Sequence, residues 1–187
     1  MHRTRLPGLG VAVAIGVLAC LAAAGPATAD DYATGNAATG TGYPADGATH
    51  DYCFYNVSYI PSLSTPVTNA MANLDAQTDM TDLYHSLCPA GTDVLISWVG
   101  SATLGSSVLG STQCLALDSV GRCNQSRVLL NQDLLTTAAT RQKTACHEIG
   151  HTAGLSHGST YGGCMISGLS TNITYSSHHV AHINAAF

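Results

Sequence analysis

The order of hydrophobic and polar residues predicts that strands and helices alternate from the start of the folded region. Residues 53–60 alternate and are rich in aromatic and β-branched side chains, which predicts a strand. After Pro61 and Pro66, which are expected to punctuate the chain, apolar residues recur at three- and four-residue steps over 67–87. This spacing predicts a helix that ends at a Cys-Pro pair. The continuous apolar run 93–99 then predicts a buried strand.

The second half of the chain continues this alternation. Residues 100–121 are rich in Gly and Ser, as is typical of loops and an exposed edge strand, and 127–131 predicts a further strand. A second helix is expected to begin near Thr136 or Thr137, since either can cap it. The C-terminal stretch SSHHVAHINAAF predicts a final helix that turns three apolar residues inward, namely Val180, Ile183 and Phe187. This order predicts an α/β (α+β) fold with a small mixed sheet.

The N-terminal segment has the composition of a secretory signal. In residues 1–29, two arginines precede an apolar run over 9–24, and Ala27-Thr28-Ala29 forms a small-residue cleavage site. A transmembrane anchor is the alternative, but the run is shorter than the ~20 residues that a membrane span needs. We therefore expect cleavage after Ala29 and secretion of a soluble, extracellular chain without stable membrane association.

Composition divides the remaining chain into a leader and one domain. Residues 30–50 are rich in Gly, Ala and Thr without apolar periodicity, which is typical of a flexible leader or a short pro-segment. Residues 51–187 are long enough for a single domain with its own core, which we expect to be monomeric. After signal removal, four basic residues remain against eleven acidic ones, a net charge of −7. Such a chain cannot present a basic face to nucleic acid.

Six cysteines remain after the signal peptide, an even number that suggests disulfides in an exported protein. Several pairings are open, and we expect them in order of sequence proximity: Cys53–Cys88, Cys114–Cys123 and Cys146–Cys164. A cysteine-ligated zinc is the alternative. It is disfavoured because the chain lacks a C-x-x-C pair and export favours oxidation.

The stretch HEIGHTAGLSH, residues 147–157, concentrates metal-binding side chains. His147 and His151 are four residues apart, so a helix places both on one face as ligands of one ion. Glu148 is the only glutamate in the chain, and it points to the side of that face, where it can reach a water. This pattern predicts a metal site with an adjacent general base.

His157 is the candidate third ligand, provided that the helix ends before it. A continuous helix would carry it ~9 Å beyond His151, at about 1.5 Å per residue. Gly154 lies where a helix C-terminus favours a left-handed residue, so it can reverse the chain. No Asp or Glu follows Glu148, which excludes a downstream carboxylate ligand. The other histidines downstream of Glu148 are assigned to the final helix rather than to the metal: His178, His179 and His182.

Three imidazoles leave the fourth zinc position open, which is typical of a catalytic site. We therefore expect one Zn²⁺ and a zinc-dependent endopeptidase, in which Glu148 is the general base for a zinc-activated water that attacks peptide bonds of protein or peptide substrates. One alternative is a zinc-binding secreted protein without turnover, although a structural site needs no general base. Another is a zinc hydrolase of non-peptide amides or esters.

These residues resemble the metzincin metallopeptidases. HEIGHTAGLSH matches the elongated zinc signature of that family in every fixed position, and the segment 162–168 resembles its Met-turn, with Met165 below the metal. The small size and the signal peptide are similar to those of the secreted snapalysin-like proteases of bacteria. Those proteases usually carry aspartate as the third ligand, whereas this chain has His157.

The resemblance implies a twisted sheet with an antiparallel edge strand that pairs with extended substrate, an active-site helix, the Met-turn and a C-terminal helix. Residues 105–117 are the candidate edge. Relatives place a tyrosine two residues after the methionine, where this chain has Ser167, so Tyr161 and Tyr175 are the candidates for that role. Relatives often bind calcium as well. Three nearby aspartates are possible ligands, although their spacing suits a solvated helix face better: Asp75, Asp79 and Asp82.

Overall fold

The structure, a computed structural model, describes residues 32–35, 41–55, 60–157 and 161–187. The predicted signal peptide, residues 1–29, lies outside the described residues. The described elements, in chain order, are β1 (Thr49–Phe54), α1 (Pro61–Gln77), β2 (Thr81–His85), β3 (Val94–Val99), α2 (Ser101–Leu104), β4 (Gly110–Leu117), β5 (Cys123–Asn131), α3 (Ala138–Thr152), a 3-10 turn (Gly163–Met165) and α4 (Ser177–Asn184).

The strands form one five-stranded mixed sheet in the order β2-β1-β3-β5-β4. The pairs β1–β2, β1–β3 and β3–β5 are parallel, and β4 pairs antiparallel with β5 at one edge. The α/β class, the mixed sheet and the antiparallel edge strand are therefore confirmed. Since β4 lies within residues 105–117, the predicted edge is at the expected place.

The two long helices build the core and place the histidine motif beneath the edge strand. Helix α1 packs against α3, and α3 also contacts β4 and β5. Side chains from both helices and the central strands are almost fully buried in this layer, including Met71, Leu74, Ile96, Leu130 and Ile149. This burial supplies most of the favourable free energy of folding. The motif-bearing half of α3 is thus held on a rigid support.

Helix α1 differs from the predicted helix over 67–87, because it spans 61–77 instead. Pro61 occupies the first turn, where its missing N–H is not needed. Pro66 lies inside the helix and removes the N–H that would bind the carbonyl of Ser62. The guanidinium of Arg141 donates to that carbonyl at 3.0 Å, so the acceptor is satisfied from α3. The prolines therefore lie within the helix instead of separating it from the preceding strand.

The C-terminal part of the predicted helix is a strand. Residues 81–85 form β2, which pairs in parallel with β1 from Thr49↔Thr81 to Cys53↔His85. Thr81 and Tyr84 fit the three- and four-residue steps of a helix, but β-branched and aromatic residues favour strands equally well. Pairing with β1, which is a tertiary interaction, decides between the two.

The remaining elements follow the predicted pattern with shifted ends. β1 begins at Thr49 and ends at Phe54, so the expected boundary at residue 51 lies inside it; residues 56–59 lie outside the described part. β3 and β5 confirm the predicted strands, and β5 is longer than 127–131. The side chain of Thr137 caps α3. The residues predicted to turn inward pack on the core, with Ile183 fully buried, although Phe187 lies beyond the end of α4 at Asn184.

All three predicted disulfides are present: Cys53–Cys88, Cys114–Cys123 and Cys146–Cys164. Three disulfides in a chain of this size are typical of an extracellular protein. Within the described ranges, none of the helices has the length and apolar character to cross a bilayer.

Candidate metal centre

Helix α3 brings the first two histidines together. His147 and His151 lie one turn apart, with 7 % and 2 % of their surfaces exposed. Their Nε2 atoms are 3.2 Å apart. The capping box of Thr137 and Thr140 secures the N-terminal end of this helix, which ends at Thr152, the residue after His151. The helix therefore presents two imidazoles at a fixed separation.

The chain reverses after α3 and returns His157 to the same point. Gly154 has φ of 108°, a conformation that side-chain-bearing residues rarely adopt. Nε2 of His157 lies 3.0 Å from Nε2 of His151. The ligand atoms of the three histidines all lie within 4.8 Å of one another, so the group could hold a metal ion. The structure thus shows the predicted convergence of three imidazoles.

Hydrogen bonds fix which nitrogen of each buried ring faces the centre. Nδ1 of His147 donates to the carbonyl of Cys164 at 3.1 Å, and Nδ1 of His151 donates to the carbonyl of Leu155 at 2.7 Å. A carbonyl only accepts, so each Nδ1 carries the hydrogen and each neutral ring has its lone pair on Nε2. Burial lowers the pKa of His147 to about 4 and that of His151 to about 3, which keeps both rings neutral near pH 7.

This arrangement fits a zinc ion. Nitrogen lone pairs that face one another repel unless a cation lies between them. Two nitrogens at ~2.0–2.1 Å from one tetrahedral zinc are about 3.3 Å apart, close to the separations found here. Neutral imidazoles with their second nitrogen bound to a backbone carbonyl are the usual zinc ligands. The donor set therefore suits Zn²⁺, although other divalent ions that prefer imidazole also fit it.

The 3-10 turn at Gly163–Met165 supports His147, the first ligand. The Cys146–Cys164 disulfide joins the residue before His147 to the residue whose carbonyl orients that ring. Met165 is 2 % exposed, and its sulfur packs so closely on Gly150 that a Cβ there would overlap it. The sequence analysis assigns no role to Gly150, although a glycine inside a helical pattern is a signal of close packing.

Glu148 is buried beside the three histidines. It is 5 % exposed, and its Oε2 accepts a hydrogen bond from Thr112 of β4 at 2.7 Å. Gly110 of the same strand lies so near that an added Cβ would be 2.7 Å from Oε1. Burial raises the pKa of Glu148 to about 7, while the Thr112 hydrogen bond and the charge of Lys143 oppose the rise. The carboxylate therefore has the pKa of a proton acceptor that works near neutrality.

Two cavities adjoin the histidine cluster, and Glu148 lines both. One of about 210 Å³ also contacts His147 and His157. Another of about 310 Å³ also contacts His151 and His157, along with β4. The arrangement thus offers open space beside the carboxylate, next to the edge strand.

Lys143, the only lysine of the chain, lies one turn before His147 and lines the smaller cavity. Its Nζ donates to the carbonyls of Ile166 at 2.5 Å and Gly168 at 2.7 Å, and burial lowers its pKa. It therefore ties the segment after Met165 to α3. The sequence holds no local signal for this role, because the acceptors lie more than twenty residues away.

Other predicted candidates lie elsewhere. The hydroxyl of Tyr175 donates to the carbonyl of Cys146 at 2.9 Å, and Tyr161 stacks on His178 of α4 with ring centroids 3.6 Å apart. Among the residues that the structure describes, the three histidines are the only group of three potential metal ligands. The candidates that do not belong to it are His178, His179 and His182 on α4, and the three aspartates proposed for calcium, Asp75, Asp79 and Asp82.

A comparison of the sequence with models of known protein families finds no match, and a comparison with curated proteins finds none either.

Proposed function

We propose that this protein is a secreted zinc endopeptidase of the metzincin type, in which His147, His151 and His157 hold the ion. The observation that carries the proposal is the convergence of their three Nε2 atoms beside a buried carboxylate. A purely structural zinc site needs no general base, whereas Glu148 is buried beside the three histidines with its pKa raised to about 7, as suits a proton acceptor. This favours a hydrolase over a zinc-binding protein without turnover.

A bound zinc would supply a Lewis acid and lower the pKa of a coordinated water towards ~7. The protein supplies the proton transfers. Glu148 accepts a proton from the attacking water and then delivers it to the nitrogen of the leaving amine. Thr112 holds Oε2 of this carboxylate, which fixes its orientation against the edge strand. Glu148 is thus the catalytic base, and Thr112 is a positioning residue.

The edge strand suggests an extended peptide as the substrate. β4 is the last strand of the sheet, and Gly110 and Ser111 of β4 line the larger cavity with Glu148 and His157. An extended chain can add to such an edge through main-chain hydrogen bonds, which bring a peptide bond next to the carboxylate. A hydrolase of small amides or esters would not need this edge, so we favour peptide hydrolysis.

Digestion of a peptide library with the purified protein tests the proposal. We expect internal peptide bonds to be cleaved, cleavage to stop with a zinc chelator, and cleavage to return when zinc is restored. Mass spectrometry identifies the products. Bound zinc without cleavage of any peptide would support the binding-protein alternative. Turnover of small amides or esters alone would support the alternative of a non-peptide zinc hydrolase.

Replacing Thr112 with valine is expected to reduce kcat/KM roughly tenfold, because one hydrogen bond to a buried carboxylate is lost. That hydrogen bond lowers the pKa of Glu148, so its removal raises this pKa. The acid limb of the pH–rate profile therefore moves to higher pH. The matched control, Thr112→Ser, keeps the hydroxyl and should retain the wild-type profile. An unshifted limb in the valine variant would exclude this role for Thr112.

A further inference from the structure

The turn that carries His157 is held on one side by α3. The N–H of Leu155 donates to the carbonyl of Gly150 at 3.0 Å, and the carbonyl of Leu155 accepts from His151. The Leu155 side chain is completely buried. These contacts fix the turn at Leu155, but the two residues that flank it, Gly154 and Ser156, make further contacts with a different part of the chain.

These further contacts are made by the N-terminal segment whose composition predicts a flexible leader or short pro-segment. We call its described residues, 32–35 and 41–45, the strap. The N–H of Ala33 donates to the carbonyl of Gly154 at 3.0 Å, and Tyr32 pairs antiparallel with Leu155. The hydroxyls of Thr34 and Ser156 are 2.5 Å apart. The strap thus contacts each residue of the turn from Gly154 to Ser156.

The other end of the strap is attached to the sheet. The carbonyl of Pro44 accepts from the N–H of Cys123 at 2.7 Å, and Ala45 pairs in parallel with the same residue. Ala45 is 2 % exposed, so this end is part of the core. The N–H of Gly35 donates to the carbonyl of Gly42 at 2.9 Å, which joins the two described parts of the strap. The strap is therefore anchored on β5 and reaches across to the turn.

We propose that the strap positions the third ligand of the metal centre and is retained in the working enzyme. This inference rests on the proposed zinc site. Within the described chain, the group of metal ligands contains no strap residue. The strap acts instead on the backbone of Gly154 and on the side chain of Ser156, which directly precedes His157. Thr41 of the strap also lines the larger cavity with Glu148 and His157. The strap therefore borders the site without supplying a ligand, and it preorganises the turn that carries His157.

Gly42 of the strap and Gly47, which lies just beyond it, provide a paired test. Gly42 has φ of 74°, and a Cβ there would overlap Oγ of Ser156, whereas a Cβ at Gly47 has nothing within 4 Å. In the full chain, Gly42→Ala is expected to weaken zinc binding roughly tenfold, as loss of a supporting contact around a metal site commonly does. Gly47→Ala should leave it unchanged. Competition with a chromophoric chelator measures the dissociation constant, and the visible spectrum of the cobalt-substituted protein reports the ligand geometry.

A second variant separates positioning from a general loss of stability. Adding Ser156→Ala to Gly42→Ala removes the atom that the new Cβ would meet, so zinc affinity should partly recover. Hydrogen exchange of the metal-free protein should show faster exchange at the Leu155 amide in Gly42→Ala than in Gly47→Ala.

Three outcomes would overturn the inference. The first is equal zinc affinity and equal exchange in the two glycine variants. The second is faster peptide cleavage by Gly42→Ala with unchanged zinc affinity, which would indicate that the segment covers the site as a pro-segment. The third is absence of zinc binding by the unaltered chain, which would also remove the proposed zinc site. Strap-dependent zinc binding without any peptide cleavage would instead refute the peptidase and leave the strap supported.

Discussion

Replacing Glu148 with glutamine is expected to reduce kcat for peptide hydrolysis by roughly 10²–10⁴-fold, the usual contribution of a general base. The amide has nearly the same shape and can still accept the hydrogen bond from Thr112, but it cannot take a proton from the attacking water. The zinc dissociation constant should stay close to that of the unaltered chain, because Glu148 does not belong to the group of metal ligands. Peptide cleavage and zinc content are measured on the same preparation.

The stability of the metal-free Glu148→Gln variant gives an independent check on the protonation of Glu148. Burial raises the pKa of this carboxyl from its ordinary value of 4.5 to about 7. The unfolded chain therefore releases the proton more readily, so the contribution of Glu148 to stability falls as pH rises from about 4.5 towards 7. The buried histidines have lowered pKa values and act in the opposite direction, but equally in both proteins. Glutamine does not titrate, so the metal-free Glu148→Gln variant should be more stable than the unaltered chain at pH 7.5 and similar at pH 4. Full cleavage activity in this variant would exclude Glu148 as the base.

Much of the site follows from local geometry, which is why the sequence predicts it. A helix places His147 and His151, four residues apart, on one face. Gly154 then permits the chain reversal that returns His157 to them. The residues that sequence reasoning missed depend on distant partners. Thr112 reaches Glu148 only because β4 lies above α3, and Lys143 meets the carbonyl of Gly168 through the path of the following turn. No local pattern encodes such pairs.

In the fold, too, the features set by local pattern were predictable and those set by distant contacts were not. Strongly apolar strands such as β3 and the capped helix α3 were predicted close to their observed limits. The prediction of a helix over residues 81–85 is wrong. The side-chain pattern there fits both the helical period and a strand, and only pairing with β1 decides for a strand. The strap has the composition of a loose leader. Nevertheless, its contacts with Cys123 and with the ligand turn are made largely by backbone atoms and small hydroxyls, which leave no hydrophobic pattern.

Replacing Gly154 with alanine is expected to have a second large effect, on the metal centre itself. The φ of 108° strains any residue with a Cβ, at a cost of about 1–3 kcal/mol. That Cβ would also lie 2.9 Å from the ring of Tyr32 and 3.0 Å from Cα of Pro44. The backbone of Pro44 is held by a hydrogen bond from the N–H of Cys123, so the turn at Gly154 has to move instead. Its displacement carries His157 away from the other two rings, and zinc affinity should fall roughly 10–100-fold.

Gly91→Ala is the matched control for this change. Gly91 has φ of 92°, so alanine there meets similar backbone strain, but nothing lies within 4 Å of its Cβ. Both variants should lower the melting temperature, whereas only Gly154→Ala should weaken zinc binding. His157→Ala sets the limit for complete loss of the third ligand. If Gly154→Ala and Gly91→Ala bound zinc equally well, the path of the chain at residue 154 would not govern the site, and His157 would reach the ion by its own side-chain freedom.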